Sequence, residues 1–218
     1  MKRKVVAISV VVLSSLAIIG CGGSPSVSSL VKSGYFIDAA VVGADYSGSE
    51  GSTGQTGANG SFTFKPGETL DFKIGKLKLG SVKMPTNAKN GIKITPVDLA
   101  KGVKVNKITA ADLNDTKVIE ILRVLQNADR DGDPTNGIEL DDYVKQIINS
   151  KVNSGVIKDY VDGDETTDEA GEIGSELGHD INETEAKTHF EDTIRNDNDI
   201  EYDDGSNGNG GDGNSNDD

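Results

Sequence analysis

Between residues 35 and 84 the apolar side chains recur with a period of two. Phe62 and Phe64 share one face of a short run. Leu70, Phe72 and Ile74 alternate with Asp71 and Lys73, and Leu77 and Leu79 alternate with Lys76 and Lys78. Such runs, broken at Asn59-Gly60, Pro66-Gly67 and Gly75, predict antiparallel strands with one buried face. Tyr35 to Tyr46 reads as a single extended apolar run. From residue 92 the period lengthens. Thr95-Pro96-Val97-Asp98 is a helix start, with Thr as cap and Pro in the first turn, and Gly102 ends that short helix. Thr109 to Asp112 is a second start. Val118, Ile121, Leu122 and Leu125 then fall at i, i+3, i+4 and i+7, predicting a helix over Asp115–Ala128. Another helix, capped by Asp141 or Asp142, carries Val144, Ile147 and Ile148 and stops at Ser154-Gly155. The last starts with a capping box at Asn182 and Glu185, with Ile181 stapling onto Ala186 and Phe190 and Ile194 extending the apolar edge. The pattern predicts an α+β fold: a small antiparallel sheet, or partial β-sandwich, covered by helices, with the long helix on its buried face.

Composition divides the chain. Aromatic residues are 5% of 218, Trp is absent and Gly numbers 27, a thin supply of large core side chains. The core is therefore expected within residues 34–158, β-rich over 34–84 and helical over 92–158. Residues 1–20 carry +3, residues 21–158 carry +2 and residues 159–218 carry −19 of the total −14. Residues 21–33 read as a flexible Gly/Ser tether, 159–180 as an acidic linker, 181–195 as a docking helix and 196–218 as a disordered acidic tail. The acidic end opposes nucleic acid, which needs basic patches. The one cysteine, Cys21, excludes an internal disulfide and any multi-thiolate zinc site.

Lys2, Arg3 and Lys4 precede 15 apolar or small residues, Val5 to Ile19, too few for a comfortable membrane span. The run ends Ile18-Ile19-Gly20-Cys21. This resembles the lipobox of bacterial lipoproteins. The resemblance implies cleavage of residues 1–20, acylation of Cys21 and anchoring in the cell envelope. In a Gram-negative host, Gly22 resembles the pattern that sorts to the outer membrane. Several acyl chains hold a protein on a membrane far more firmly than one.

Asp129, Asp131 and Asp133 follow the long helix at alternate positions. Calcium takes six to eight oxygens, often from a loop that starts as a helix ends. The spacing resembles positions 1, 3 and 5 of an EF-hand loop, with Thr135 offering its carbonyl at position 7. Pro134 stands where that pattern has glycine, and Leu140 where it has a bidentate glutamate, so Glu139, Asp141 or Asp142 would have to complete the shell. The closer likeness is to EF-like loops of altered length, as in dockerins. The candidate calcium ligands are thus Asp129, Asp131, Asp133, Thr135, Glu139 and Asp142. The other reading is a helix-terminal turn in which Asp and Asn side chains satisfy backbone donors. His179 and His189 are far apart and read as linker and packing residues.

Ala39 to Phe64, with Val42-Gly43-Ala44, Gly54-Gln55-Thr56 and Asn59-Gly60-Ser61-Phe62, resembles the start of a carboxypeptidase-regulatory-like β-sandwich. That resemblance implies a binding or structural module without catalysis. Phe72 to Gly75, Ile94 to Leu99, Leu122 to Ile138 and Glu185 to Phe190, in that order, resemble proteobacterial surface lipoproteins and adhesin-like proteins. The function expected is a non-enzymatic, membrane-anchored interaction or adhesion module, stabilised by calcium, whose partner is a protein or glycan at the cell surface. The alternatives are a calcium-responsive accessory subunit of a surface complex and a carboxylate-based hydrolase. The hydrolase needs two acids across an aromatic-lined cleft.

Overall fold

The computed structural model describes residues 31–164 and 166–206. The first half holds eight short strands: β1 (Lys32–Phe36), β2 (Val41–Val42), β3 (Asp45–Gly48), β4 (Thr53–Gln55), β5 (Ser61–Phe64), β6 (Thr69–Ile74), β7 (Leu77–Lys83) and β8 (Ile92–Ile94). Strands β4-β3-β6-β7 form an antiparallel sheet, and β5-β1-β8 form a second in which β1 runs parallel to β8. The inward residues are those of the alternation: Phe62 and Phe64, then Leu70, Phe72 and Ile74, then Leu77 and Leu79 are buried. The sheets meet through aromatic rings. Phe72 of one sheet lies 5.1 Å from Phe36 and 5.4 Å from Phe62 of the other, tilted or edge-on as ring quadrupoles favour.

The run from Tyr35 to Tyr46 is not one strand. It divides into β1, β2 and the start of β3, because the chain reverses at Asp38-Ala39, where Ala39 has φ 75°, and again at Gly43. Asp38 is buried and takes the amide of Gln126 at 3.3 Å. Burial holds its carboxyl well above the usual range. The tether expected over 21–33 also gives way at its end. Lys32 and Ser33 already pair with Phe64 and Thr63.

The second half follows as α1 (Pro96–Lys101), β9 (Lys107–Thr109), α2 (Thr116–Asn127), β10 (Ile138–Glu139), α3 (Asp142–Ser154), α4 (Glu169–Leu177), α5 (Glu183–Arg195) and β11 (Glu201–Asp203). The helix starts are where the side chains placed them. Thr95 and Asp98 make a reciprocal capping box, and so do Asn182 and Glu185. Asp115 caps α2 through the Lys117 and Val118 amides.

Helix α2 is buried on two sides. Ile121, Val124 and Leu125 face the sheets, while Val118 and Leu122 join Val97, Ile108, Phe190 and Ile194 in a second core. At its C-terminal end the buried side chains are polar and committed. Asn127 accepts from the Ile181 amide at 2.9 Å and donates to the Ile181 carbonyl at 2.8 Å. Gln126 donates to the Ala186 carbonyl at 3.1 Å.

Two segments expected to be unstructured are folded. Residues 159–180 are not a linker. Asp159 and Val161 hydrogen-bond to Lys78 on the edge of β7, and α4 buries Ala170, Ile173 and Gly174. Gly174 lies so close to Asn127 that a Cβ would fall 2.3 Å from its Oδ1. The acidic residues mask a sparse but helical set of apolar positions, 170, 173, 174 and 177, which is enough for a helix docked on α2. Residues 196–206 are also built in. Strand β11 pairs parallel with β9, and Ile200 and Tyr202 pack on the second core. The remainder of the acidic tail, 207–218, lies outside the described residues.

Replacing Asn127 by Ala leaves the Ile181 amide and carbonyl without their partner. An unfolding free energy lower by about 2–4 kcal/mol is expected, read by urea denaturation, since each stranded buried group costs about 1–3. A loss under 0.5 kcal/mol would show that the clamp is dispensable.

Candidate functional site

The acidic loop is closed at its base by main chain. Where α2 ends, the Arg130 amide donates to the Glu139 carbonyl at 3.1 Å, and β10 runs parallel to β2 with the Ile138 and Leu140 amides donating to Ala40 and Val42. Asp129 sits at that base, 0% exposed. Its Oδ1 accepts from the Glu139 amide at 2.8 Å, and its Oδ2 is sealed from solvent with no partner among the described residues.

Asp131 and Asp133 are exposed and form turns. Asp131 accepts from the Asp133 amide and from the Asn136 side chain, both at 3.0 Å. Asp133 accepts from the Thr135 amide at 3.1 Å and from its hydroxyl at 2.5 Å. The Asp131 carboxyl nonetheless lies near enough to Asp129 for its charge to act there. Burial first, and then the Asp131 charge, push the Asp129 carboxyl up to about 6 against the Glu139 amide. The Asn136 amide and the Asp133 N–H hold Asp131 below the ordinary range.

The structure thus brings together only part of the ligand set read from the sequence. Glu139 is exposed because β10 alternates, turning Ile138 and Leu140 inward. Asp142 is exposed in the first turn of α3, and the cap is Asp141, which accepts from the Val144 amide and pairs with Arg130 at 3.3 Å. The Thr135 hydroxyl donates to Asp133, while the group read as a ligand at this position is its main-chain carbonyl. Among the described residues no three His, Cys, Asp or Glu side chains converge on one point. What fits a hard cation is the orphaned Asp129 Oδ2 beside a second carboxylate, with Asn136 next to it.

No family model, curated protein or solved structure matches the chain.

Two neighbours of the loop escape the spacing argument. The His179 ring lies over Gly132, its Nδ1 within 2.5 Å of where a Cβ would stand, and its buried Nε2 has no partner among the described residues. His189 Nε2 donates to the Asp38 carbonyl at 2.9 Å, and burial pulls its pKa down. His179, just past the end of α4, and His189, on α5, both come from far along the chain, so no local signal reveals them. Cys21 and the apolar run before it lie outside the described residues. Among the described residues, no helix is long and apolar enough to cross a membrane.

The pH response of the loop follows from the raised Asp129 ionisation. The folded state holds this proton longer than the unfolded one. Its contribution is present below about pH 4 and is lost as pH rises through about 6. In chelator, stability is expected to fall over that window by at most about 2–3 kcal/mol. Asp129→Asn is expected to flatten the profile there, measured by melting curves from pH 4 to 7. An unchanged slope in the variant would show that another group carries it.

Proposed function

We propose that this protein is a non-enzymatic, lipid-anchored envelope protein that presents a binding surface, with calcium stabilising the acidic loop within it. The observation that supports the reading most is the sealed, unpartnered Oδ2 of Asp129 beside Asp131. A buried full charge without a partner is costly, and a hard cation relieves it. In this reading Asp129 and Asp131 hold the ion by side chain, and loop carbonyls with Asn136 complete its oxygen shell. Glu139 and Asp142 join only if the loop rearranges. The ion supplies charge neutralisation, and no reaction is assigned to it.

The anchoring half of the reading is supported by the resemblance of Ile18 to Cys21 to a lipobox. It places the protein in the bacterial envelope, in the outer membrane of a Gram-negative host. The exposed residues Asp131, Asp133, Thr135 and Asn136 then form a polar edge that calcium would stiffen for a surface protein or glycan.

Calorimetric titration of the purified protein with calcium tests the site. One saturable site is expected, with a melting temperature higher in calcium than in chelator. Asp129→Asn combined with Asp131→Asn keeps the turn-forming oxygens and removes both charges. That variant is expected to lose binding and to melt no lower than the parent in chelator. Equal calcium binding by parent and variant would place the ions on the acidic C-terminal residues and end the proposal. Separately, Cys21→Ser is expected to move the protein from the membrane to the soluble fraction. Retention on the membrane would overturn lipid anchoring.

A further inference from the structure

A second acidic site lies where α4 meets α2, in the segment whose sequence reads as a linker. A cavity of about 300 Å³ opens there. Its charged lining is Glu120 and Arg123 on α2, Asp164 and Asp168 before α4, Glu169 in α4 and Glu183 in α5. Ile119 supplies an apolar wall. Five carboxylates thus face one guanidinium, and Arg123 is already paired with Asp168 at 3.0 Å.

Two of these carboxyl groups set the site apart from a solvated acidic patch. Glu169 is 0% exposed, and its Oε1 accepts from the Lys158 amide at 3.4 Å. Glu120 Oε2 accepts from the Gly163 amide at 2.7 Å. Gly163, at φ 80°, can only be glycine, since a Cβ would lie 2.8 Å from the Lys117 nitrogen. The remaining oxygens, Glu120 Oε1 and Glu169 Oε2, are both buried and have no partner among the described residues. The two side chains line the same cavity, and Glu169 lies near enough for its charge to act on Glu120. Burial, then the facing Glu169, with Asp162 adding to it, raise Glu120 to about 8. Lys158 does not relieve the pair, because its ammonium is held by Asp162 at 3.1 Å and Asp164 at 3.3 Å.

We propose that this cavity binds a primary ammonium group, received by the Glu120 and Glu169 carboxyl groups, with its alkyl chain against Ile119. An ammonium brings one charge and three N–H donors, which suits two free carboxylate oxygens and a cavity with room for a short chain. Calcium suits them less. It needs six or more oxygens, each carboxylate has one already taken, and no third acidic side chain converges with the pair among the described residues. Without ligand, the raised Glu120 carboxyl holds a proton at neutral pH. An ammonium displaces that proton, so binding strengthens about tenfold per unit as pH rises toward 8 and then levels off, amines staying charged to about pH 10.

The ammonium can come from a free alkylamine or from a lysine side chain of a partner polypeptide. Isothermal titration of the full chain with n-butylamine and with Nα-acetyl-lysine N-methylamide separates the two. Saturable one-site binding of at least one amine is expected, with close to one proton released at pH 7, read from heats in buffers of different ionisation enthalpy. The stronger ligand of the two names the source. Glu120→Gln and Glu169→Gln are each expected to weaken binding at least tenfold. Glu120→Gln is expected to melt no lower than the parent, because its amide can donate where the Glu120 proton stood and the substitution removes a buried charge. Three results would overturn the proposal: no saturable binding of either amine, binding unchanged in both variants, or calcium saturating the cavity in a Glu120-dependent way while the amines do not.

Discussion

Everything in this fold depends on α2 being buried on two opposite sides. A helix in a two-layer α+β unit usually keeps one face for solvent. Here Ile121, Val124 and Leu125 close the sheet core, while Val118 and Leu122 close a second core built with α5, β9 and their neighbours. The helix therefore cannot shift toward one core without opening the other. Gln126 and Asn127 add direction to that packing. Their amide NH2 groups are buried and donate to Asp38, Ile181 and Ala186, so they set where the first strand turns and where the last helix begins. Polar groups in such places are costly unless satisfied, which makes their partners specific.

The same helix organises both candidate cation sites. Its C-terminal end hands the chain to Asp129, and its N-terminal half carries Glu120. In each place a buried carboxyl oxygen is left without a donor while a second carboxyl faces it. The physical cause is shared. Acidic segments are folded back by a few apolar anchors, Ile138 and Leu140 beside β2 at one end and Ala170 and Ile173 against α2 at the other. Burial of those anchors carries neighbouring carboxylates out of water. Some of the charge that collects over residues 159–206 is thus held against the core.

Legibility followed the range of the interactions. The strands of 61–83, the caps at Thr95, Asp115 and Asn182 and the stop at Gly155 depend on neighbours within a few residues, and the side-chain pattern displays them. Helix α4 was hidden because acidic and glycine residues outnumber its anchors, and docking on α2, not local propensity, makes it a helix. Strand β11 was hidden because its partner is β9, ninety-odd residues earlier, and a two-stranded parallel ladder leaves no periodic trace. In the acidic loop, Asp131 and Asp133 were readable as turn formers or ligands alike. Only the return of β10 onto β2 distinguishes Asp129, by sealing one of its oxygens.

The amino-acid sequence by itself determined the class of the fold, the ends of most helices, the inward residues of the sheet and the presence of an acidic loop after α2. These rest on period, capping and turn chemistry, which act locally. Tertiary structure alone decided which acids are buried, which carboxyl groups meet and which acidic stretches fold. Those outcomes depend on the desolvation of groups that are distant in the chain, and no local pattern of residues records it.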